Sequence, residues 1–237
     1  MLCAKLLCLG KRERRNAWKY RLAADTPCKI YMKDKILVIG NYTDAMYHPF
    51  GGVDEHLKGM LEDKELICTD NTEELLKLTG GEYKGVISYL DIWDGALTDK
   101  ESEALHSFVE EGGALLILHN GISIQSQEAL RIMMGAKFLT HPPMEEITFV
   151  PKSHVITEGC KEFTLPEEPY QFEMVEDDKE VCLSYIYRDK EYVAGWSKYV
   201  GEGRLVFLTP GHTAEIFACP EYVTLIQRSM KWCLKEI

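Results

Sequence analysis

Residues Ala114–Leu118 read Ala-Leu-Leu-Ile-Leu, five apolar side chains in succession that stop at His119-Asn120-Gly121. A run too short for a helix and without polar alternation predicts a strand buried on both faces, as in a parallel sheet covered by helices. Gly112-Gly113 leads into it, and a polar residue followed by a glycine ends it. That exit aims the His119 side chain at the rim of the sheet, where α/β folds bind ligands outside the carboxyl ends of their strands. Many α/β hydrolytic enzymes hold a Ser or Cys nucleophile at such a turn. A histidine there argues against a simple serine or cysteine mechanism.

The residues around this run alternate strand and helix. Lys35–Gly40, Leu66–Thr69 and Gly85–Leu90 are short aliphatic runs. Val53, Leu57, Met60 and Leu61 recur at helical spacing, and Leu75, Leu76 and Leu78 predict a short helix closed by Gly80-Gly81. Thr98-Asp99-Lys100-Glu101 is a capping box ahead of Leu105, Phe108 and Val109. A helix is expected from about Gln125 to Met134. Strands alternating with helices imply right-handed crossovers and a doubly wound, mostly parallel sheet. Beyond Glu145 the pattern changes. Ile147–Val150, Val181–Tyr187, Tyr192–Trp196 and Leu205–Thr209 read as strands separated by turn residues at Asp189-Lys190 and Gly201-Glu202-Gly203, which predicts antiparallel additions to the sheet. An amphipathic helix from about Pro220 to Leu234 closes the chain.

Charge divides the chain unevenly. Residues 1–31 carry eight Lys/Arg against Glu13 and Asp25, a net +6, which leaves −17 on the remainder of a chain whose formal charge is −11. An acidic body argues against nucleic-acid binding, which depends on phosphate neutralisation by Lys and Arg. The basic segment reads as a poorly ordered extension to a single α/β domain over 32–237, and Met32-Lys33-Asp34-Lys35 makes a natural start for the folded unit. Its apolar start precedes its charges, the reverse of a secretory signal. Eight cysteines without a Cys-x-x-Cys pair read as reduced thiols. No stretch approaches the ~20 apolar residues needed to cross a bilayer. The expected location is cytoplasmic, with no membrane partner.

Four polar residues follow strands whose carboxyl ends share one edge of such a sheet: His48 after the first, Asp91 after the third, His119, and His212 after the last. A lone histidine in a loop or helix is usually an ordinary hydrogen-bonded residue, and His56, His106 and His154 are read that way. His119 and His212, at strand ends, are expected to face a cleft, and His141 before Pro142-Pro143 to line its mouth. Gly51-Gly52 ahead of a helix would leave amides free for an anion. Neither a dinucleotide-binding nor a P-loop glycine pattern occurs, which disfavours NAD and ATP. Tyr42, Tyr47, Phe50, Tyr89 and Trp93 fall in or beside the strand-end loops. Aromatics beside carboxylates and imidazoles suit a sugar, whose C–H faces stack while its hydroxyls hydrogen-bond.

Tyr47-His48-Pro49-Phe50-Gly51-Gly52, His119-Asn120-Gly121, Phe138 through His141-Pro142-Pro143, Ser153 through Gly159, and Gly203-Arg204 through Gly211-His212-Thr213 together resemble the ThuA-like (trehalose utilisation) family over roughly Lys35 to Trp232. The resemblance implies a class I glutamine amidotransferase-like, flavodoxin-like fold and a link to catabolism of trehalose and related disaccharides. In the amidotransferases a Cys occupies the strand-to-helix elbow, and a His with a nearby Glu follows a later strand. His119 stands at the Cys position, and His212 with Glu215 near the other two, so glutaminase activity is not expected.

The expected function is acid–base chemistry on a disaccharide or keto-sugar in a histidine-lined crevice. His119 and His212 would exchange protons, Asp91 and Glu215 would orient an imidazole or hold hydroxyls, and His48 would bind substrate with Tyr47, Phe50, Gly51, Gly52, Trp93, Asn120 and His141. An alternative assigns His48, His119, His212 and Asp91 to zinc or a similar divalent ion. A third reading is a non-enzymatic sugar-binding or regulatory module. Beyond a small-molecule sugar, the one partner compatible with this reading is a second copy of the chain in a homo-oligomer.

Overall fold

The computed structural model describes residues 33–45, 47–175 and 178–237, and Lys33–Ile237 form one compact unit. The basic segment 1–31 and the proposed start at Met32 lie outside the described residues. The aliphatic runs form β1 (Lys35–Gly40), β2 (Glu65–Thr69), β3 (Gly85–Tyr89) and β4 (Ala114–Leu118). β3 and β4 are buried along their whole length, as expected of strands covered on both faces. The later strands are β5 (Ala136–Thr140), β6 (Glu145–Pro151), β7 (Phe163–Glu167), β8 (Gln171–Met174), β9 (Lys179–Tyr187), β10 (Lys190–Val200) and β11 (Gly203–Leu208).

Nine strands make one mixed sheet in the order β2-β1-β3-β4-β11-β10-β9-β6-β7. The first five are mutually parallel, and β10, β9, β6 and β7 extend the sheet antiparallel. The antiparallel part is thus nearly as large as the parallel one. β5 and β8 pair separately as a two-stranded ribbon.

The helices α1 (Val53–Met60), α2 (Asp99–Glu110), α3 (Glu128–Met134) and α4 (Pro220–Cys233) divide between two apolar clusters, one on each face of the sheet. Val53 and Leu57 of α1 share one cluster with Leu225, Ile226 and Met230 of α4. Leu105 and Val109 of α2 share the other with Leu130 and Met134 of α3. No helix among the described residues is long and apolar enough to cross a membrane.

The capping box is present in full at α2. The Thr98 amide donates to Glu101 Oε2 at 2.7 Å, and the Glu101 amide donates to Thr98 Oγ1 at 3.3 Å. Thr98→Ala removes the acceptor for that amide and is expected to lower stability by about 1 kcal/mol in urea unfolding.

The helix expected from Gln125 to Met134 is broken. A 3₁₀ segment runs over His119–Ser126, Gln127 is extended, and α3 starts at Glu128. The Gln125 side chain ties this turn to β5, its Oε1 accepting from the Phe138 amide at 2.7 Å. β5, β7 and β8 had no expectation in the sequence, being short and, in two cases, next to prolines.

Candidate functional site

Four connections, after β1, β3, β4 and β11, and the end of β7 meet at the carboxyl edge of the parallel strands. The loop after β1 is pinned by Phe50, whose amide donates to Asn41 O at 2.9 Å and whose ring is fully buried. A Cβ at Gly40 would sit 2.7 Å from that ring, so Phe50 plugs the end of β1. Asn41 in turn accepts the Asp91 amide at 2.8 Å, which joins this loop to the one after β3. Asp91 Oδ2 then receives both the amide and Nδ1 of His48, each at 3.1 Å.

The turn after β4 is an elbow. His119 has φ +45°, a conformation for which histidine is among the more tolerant non-glycine residues. Asn120 donates to Tyr89 O at 2.8 Å, Ser88 to Gly121 O at 3.3 Å and Ser123 to Leu90 O at 2.8 Å, stapling the elbow to the end of β3. His119 Nδ1 meets Thr209 O at 2.7 Å. A carbonyl only accepts, so Nδ1 carries the proton and Nε2 of the neutral ring presents its lone pair.

The loop after β11 carries His212. Tyr89 donates to Gly211 O at 2.6 Å, and Tyr222 donates to Pro210 O. Glu167, at the end of β7 and fully buried, accepts three amides through its carboxylate: Gly211 at 2.7 Å, His212 at 3.2 Å and Glu168 at 2.9 Å.

These supports bring together His48, His119, His212 and Glu168, whose ligand atoms all lie within 4.8 Å of one another. His48 Nε2 and His119 Nε2 are 3.2 Å apart, His119 Nε2 and Glu168 Oε2 3.7 Å, and His212 Nδ1 and Glu168 Oε2 3.3 Å. The Tyr170 ring stacks on His119 with its hydroxyl 3.0 Å from Nε2. Beside the cluster lies a cavity of about 380 Å³ lined by Tyr47, His48, Trp93, Phe138, His141, Glu168 and Tyr170. Its aromatic wall is continuous, with Trp93 and Phe138 at 4.9 Å and Phe138 and Tyr170 at 4.5 Å.

Electrostatics differ sharply among these groups. Burial would raise the Glu168 carboxyl, but the adjacent His119 and His212 hold it well below the usual carboxylate range. His212 is raised by its interaction with Glu168, which outweighs its burial. His48 is lowered, because burial outweighs the carboxylate of Asp91.

The expected convergence of His48, Asp91, His119 and His212 is present, and Tyr47, Trp93 and His141 line the cavity as anticipated. Other expectations need correction. Glu215 is exposed on the turn Ala214–Ala218, and the carboxylates near His212 are Glu167 and Glu168. Phe50 is a core plug and contributes nothing to the cavity lining. Gly51-Gly52 also lie outside that lining, and Asp54 and Glu55 in the first turn of α1 repel an anion. Asn120 is fully buried and fastens the elbow to β3. Asp91 contacts His48 at Nδ1, the nitrogen on the far side of the ring from the cluster, so it orients the imidazole without joining the cluster.

Glu168 and Tyr170 had no place among the expected site residues. The alternation Phe163, Leu165, Glu167 puts the Glu167 carboxylate in the apolar phase of β7, but it marks neither Glu168 nor Tyr170. A wider surface depression around Lys152, His154, Thr157 and Cys160 shares no residue with the cluster. His154 there caps a turn, accepting the Ile156 amide at 3.1 Å, consistent with the ordinary role expected of it.

Fold and site define a mixed α/β protein with a histidine-rich cluster at the carboxyl edge of its parallel strands. Residues 35–233 match the ThuA family, described as trehalose utilisation, and the chain belongs to that family. Its fold is similar to a putative ThuA-like protein from Bacteroides uniformis (TM-score 0.68, 18% identity, covering 85% of this chain and 91% of the other). A putative ThuA-like protein from Parabacteroides merdae is equally similar (TM-score 0.68, 16% identity, 86% and 91%). The fold also resembles part of a β-galactosidase from Bacillus circulans sp. alkalophilus (TM-score 0.59, 12% identity), covering 84% of this chain and 31% of that enzyme. No curated protein matches the chain by sequence.

Proposed function

We propose that this protein is an enzyme of carbohydrate breakdown acting on a disaccharide or a carbonyl-bearing sugar bound in the aromatic cavity. The observation that carries the reading is an aromatic-walled cavity opening onto a cluster of three imidazoles and an ionised carboxylate. Its volume, about 380 Å³, falls at the small end of ligand sites. Stacking surfaces on Tyr47, Trp93 and Phe138 suit the C–H faces of a pyranose, and the polar floor suits its oxygens. The family's description, trehalose utilisation, supports the same substrate class. The order β2-β1-β3-β4-β11 is that of flavodoxin-type doubly wound sheets, which supports kinship with the amidotransferase-like folds, with His119 at the elbow.

In this reading the cluster stabilises charge developing on a sugar oxygen, and Tyr170 and His141, on the cavity wall, deliver or take up protons. A second reading is acid–base catalysis by the imidazoles alone. It is favoured by the opposed shifts of His212, poised as the acid, and His48, poised as the base.

The test is a turnover screen of trehalose, maltose, sucrose and their keto derivatives. His119→Ala, His212→Ala and Glu168→Gln are each expected to lower kcat at least about a hundredfold, the scale of a lost proton-transfer or charge-stabilising group. Trp93→Ala is expected to act mainly on KM. Unchanged turnover in the histidine variants overturns the assignment, and binding of these sugars without turnover identifies a sugar-binding module.

A further inference from the structure

We propose that His48 Nε2, His119 Nε2, His212 Nδ1 and the Glu168 carboxylate form a binding site for one first-row divalent transition ion of the zinc type. The inference deepens the proposed function and rests on it for its catalytic consequence.

The two facing imidazoles carry the argument. His119 is held by Thr209 O at Nδ1, and His48 by the Asp91 carboxylate at Nδ1. Both partners are acceptors, so each ring in its neutral form keeps its proton on Nδ1 and turns a bare Nε2 inward. The two bare nitrogens then stand 3.2 Å apart. A neutral hydrogen bond between them would take the proton from Asp91 or from Thr209 O. The Tyr170 hydroxyl, 3.0 Å from His119 Nε2, can serve that one lone pair and leaves the His48 Nε2 facing it, whereas a cation between the rings satisfies both. Carboxylate or carbonyl acceptors behind metal-bound histidines are the usual way of fixing ligand tautomers.

A second observation is independent. His212 Nδ1 and Glu168 Oε2 are both buried without a hydrogen-bond partner, although they stand only 3.3 Å apart. The two atoms face each other as an ion pair without a hydrogen bond, and one ion coordinated by both supplies each with a directed partner.

Spacing and chemistry agree with a small ion. Metal–nitrogen bonds of about 2.0–2.1 Å place tetrahedral ligands about 3.3 Å apart. Three of the six separations are 3.2, 3.3 and 3.7 Å, and all six lie within 4.8 Å, so a bound ion draws the more distant ligands inward. Three imidazoles and one carboxylate suit zinc and its first-row neighbours over calcium or magnesium, which prefer all-oxygen shells. His48 and Glu168 also line the cavity, so an ion held between them is exposed to a bound sugar oxygen or to water. When bound it would supply Lewis-acid polarisation of such an oxygen. Asp91 is then a positioning residue that acts through His48.

The test uses the full chain purified without a metal-affinity tag, stripped with a chelator and titrated with Zn²⁺ by calorimetry and with Co²⁺ by visible absorbance. One equivalent of either ion is expected, with a ligand-field band for cobalt and a raised Tm in the presence of zinc. His48→Ala and His212→Ala should lose the band and the Tm rise while keeping the wild-type far-ultraviolet dichroism. Asp91→Asn, which leaves all four ligands in place, should weaken binding about 10–100-fold. Substoichiometric binding, or one equivalent unaffected by these substitutions, overturns the site. If no ion binds but the histidine variants still lose turnover, the enzyme reading stands without the metal. If one ion binds and no sugar is turned over, the metal site stands and the enzyme reading falls.

Discussion

Gly121→Ala is expected to destabilise the protein by at least about 3 kcal/mol, the upper range for overpacking, since the added carbon would have no room. A Cβ built at Gly121 lies 2.1 Å from the carbonyl oxygen of Ser88 and 2.7 Å from its carbonyl carbon. Neither contact can be relieved by turning a side chain. Ser88 belongs to β3, which is hydrogen-bonded on one side to β1 and on the other to β4, so retreat of its carbonyl would disturb both ladders. Movement of the elbow instead would pull Asn120 from Tyr89 O and displace His119, already held at a positive φ. Stability and site therefore fail together. Gly51→Ala is the matched control, because a Cβ there meets nothing within 4 Å and should change stability by no more than about 0.5 kcal/mol. Urea unfolding of the two variants beside wild type measures the difference. A cost below about 1 kcal/mol at Gly121 would show that the elbow yields.

The elbow illustrates what the chain discloses before folding. A largely apolar run that stops at a polar residue has few structural solutions, and β1, β3, β4 and β11 each give way to one within two residues, at Asn41, Asp91, His119 and Thr209. Histidines in the segments that follow such strands are brought to one edge once the strands run parallel in one sheet. Glu168 is a different case. It belongs to the segment 163–174, where Pro166 lies within one short strand and Pro169 ahead of the next, and the brief alternation of Phe163, Leu165 and Glu167 stops one residue before it. Its approach to His212 depends on a pairing in three dimensions, and the nearer carboxylate in sequence, Glu215, is the wrong one. Phe50 and Asn120 show the opposite error. Both lie in loops that carry site residues, but their side chains are spent on holding those loops in place. Proximity in sequence cannot separate a group that faces a ligand from one that faces the scaffold beneath it.

Glu167→Ala is expected to cost at least about 3 kcal/mol and to lower turnover and ion affinity at the same time. The Glu167 carboxylate is fully buried and collects the amides of Gly211, His212 and Glu168. Hydrogen bonds to a charged acceptor contribute about 1.5–3 kcal/mol each, and their loss would leave three donors without a partner at the point where β7 and the His212 loop meet. Substituting glutamine separates packing from charge. Glu167→Gln keeps the volume and one acceptor oxygen, but its NH₂ must face an amide donor, so an intermediate loss of about 1–2 kcal/mol is expected. Gly211 cannot compensate by shifting inward. Its φ of +148° suits glycine, and a Cβ built there would already lie 2.8 Å from the His119 Cβ, a measure of how closely this loop packs on the elbow. Release of the Glu167 contacts therefore lets His212 drift from Glu168, while His48 and His119, fixed by Asp91 and Thr209, stay in place. Urea unfolding of both variants, paired with zinc titration, tests this order. Two variants within about 0.5 kcal/mol of wild type, with unchanged zinc affinity, would rule out Glu167 as the clamp on the His212 loop.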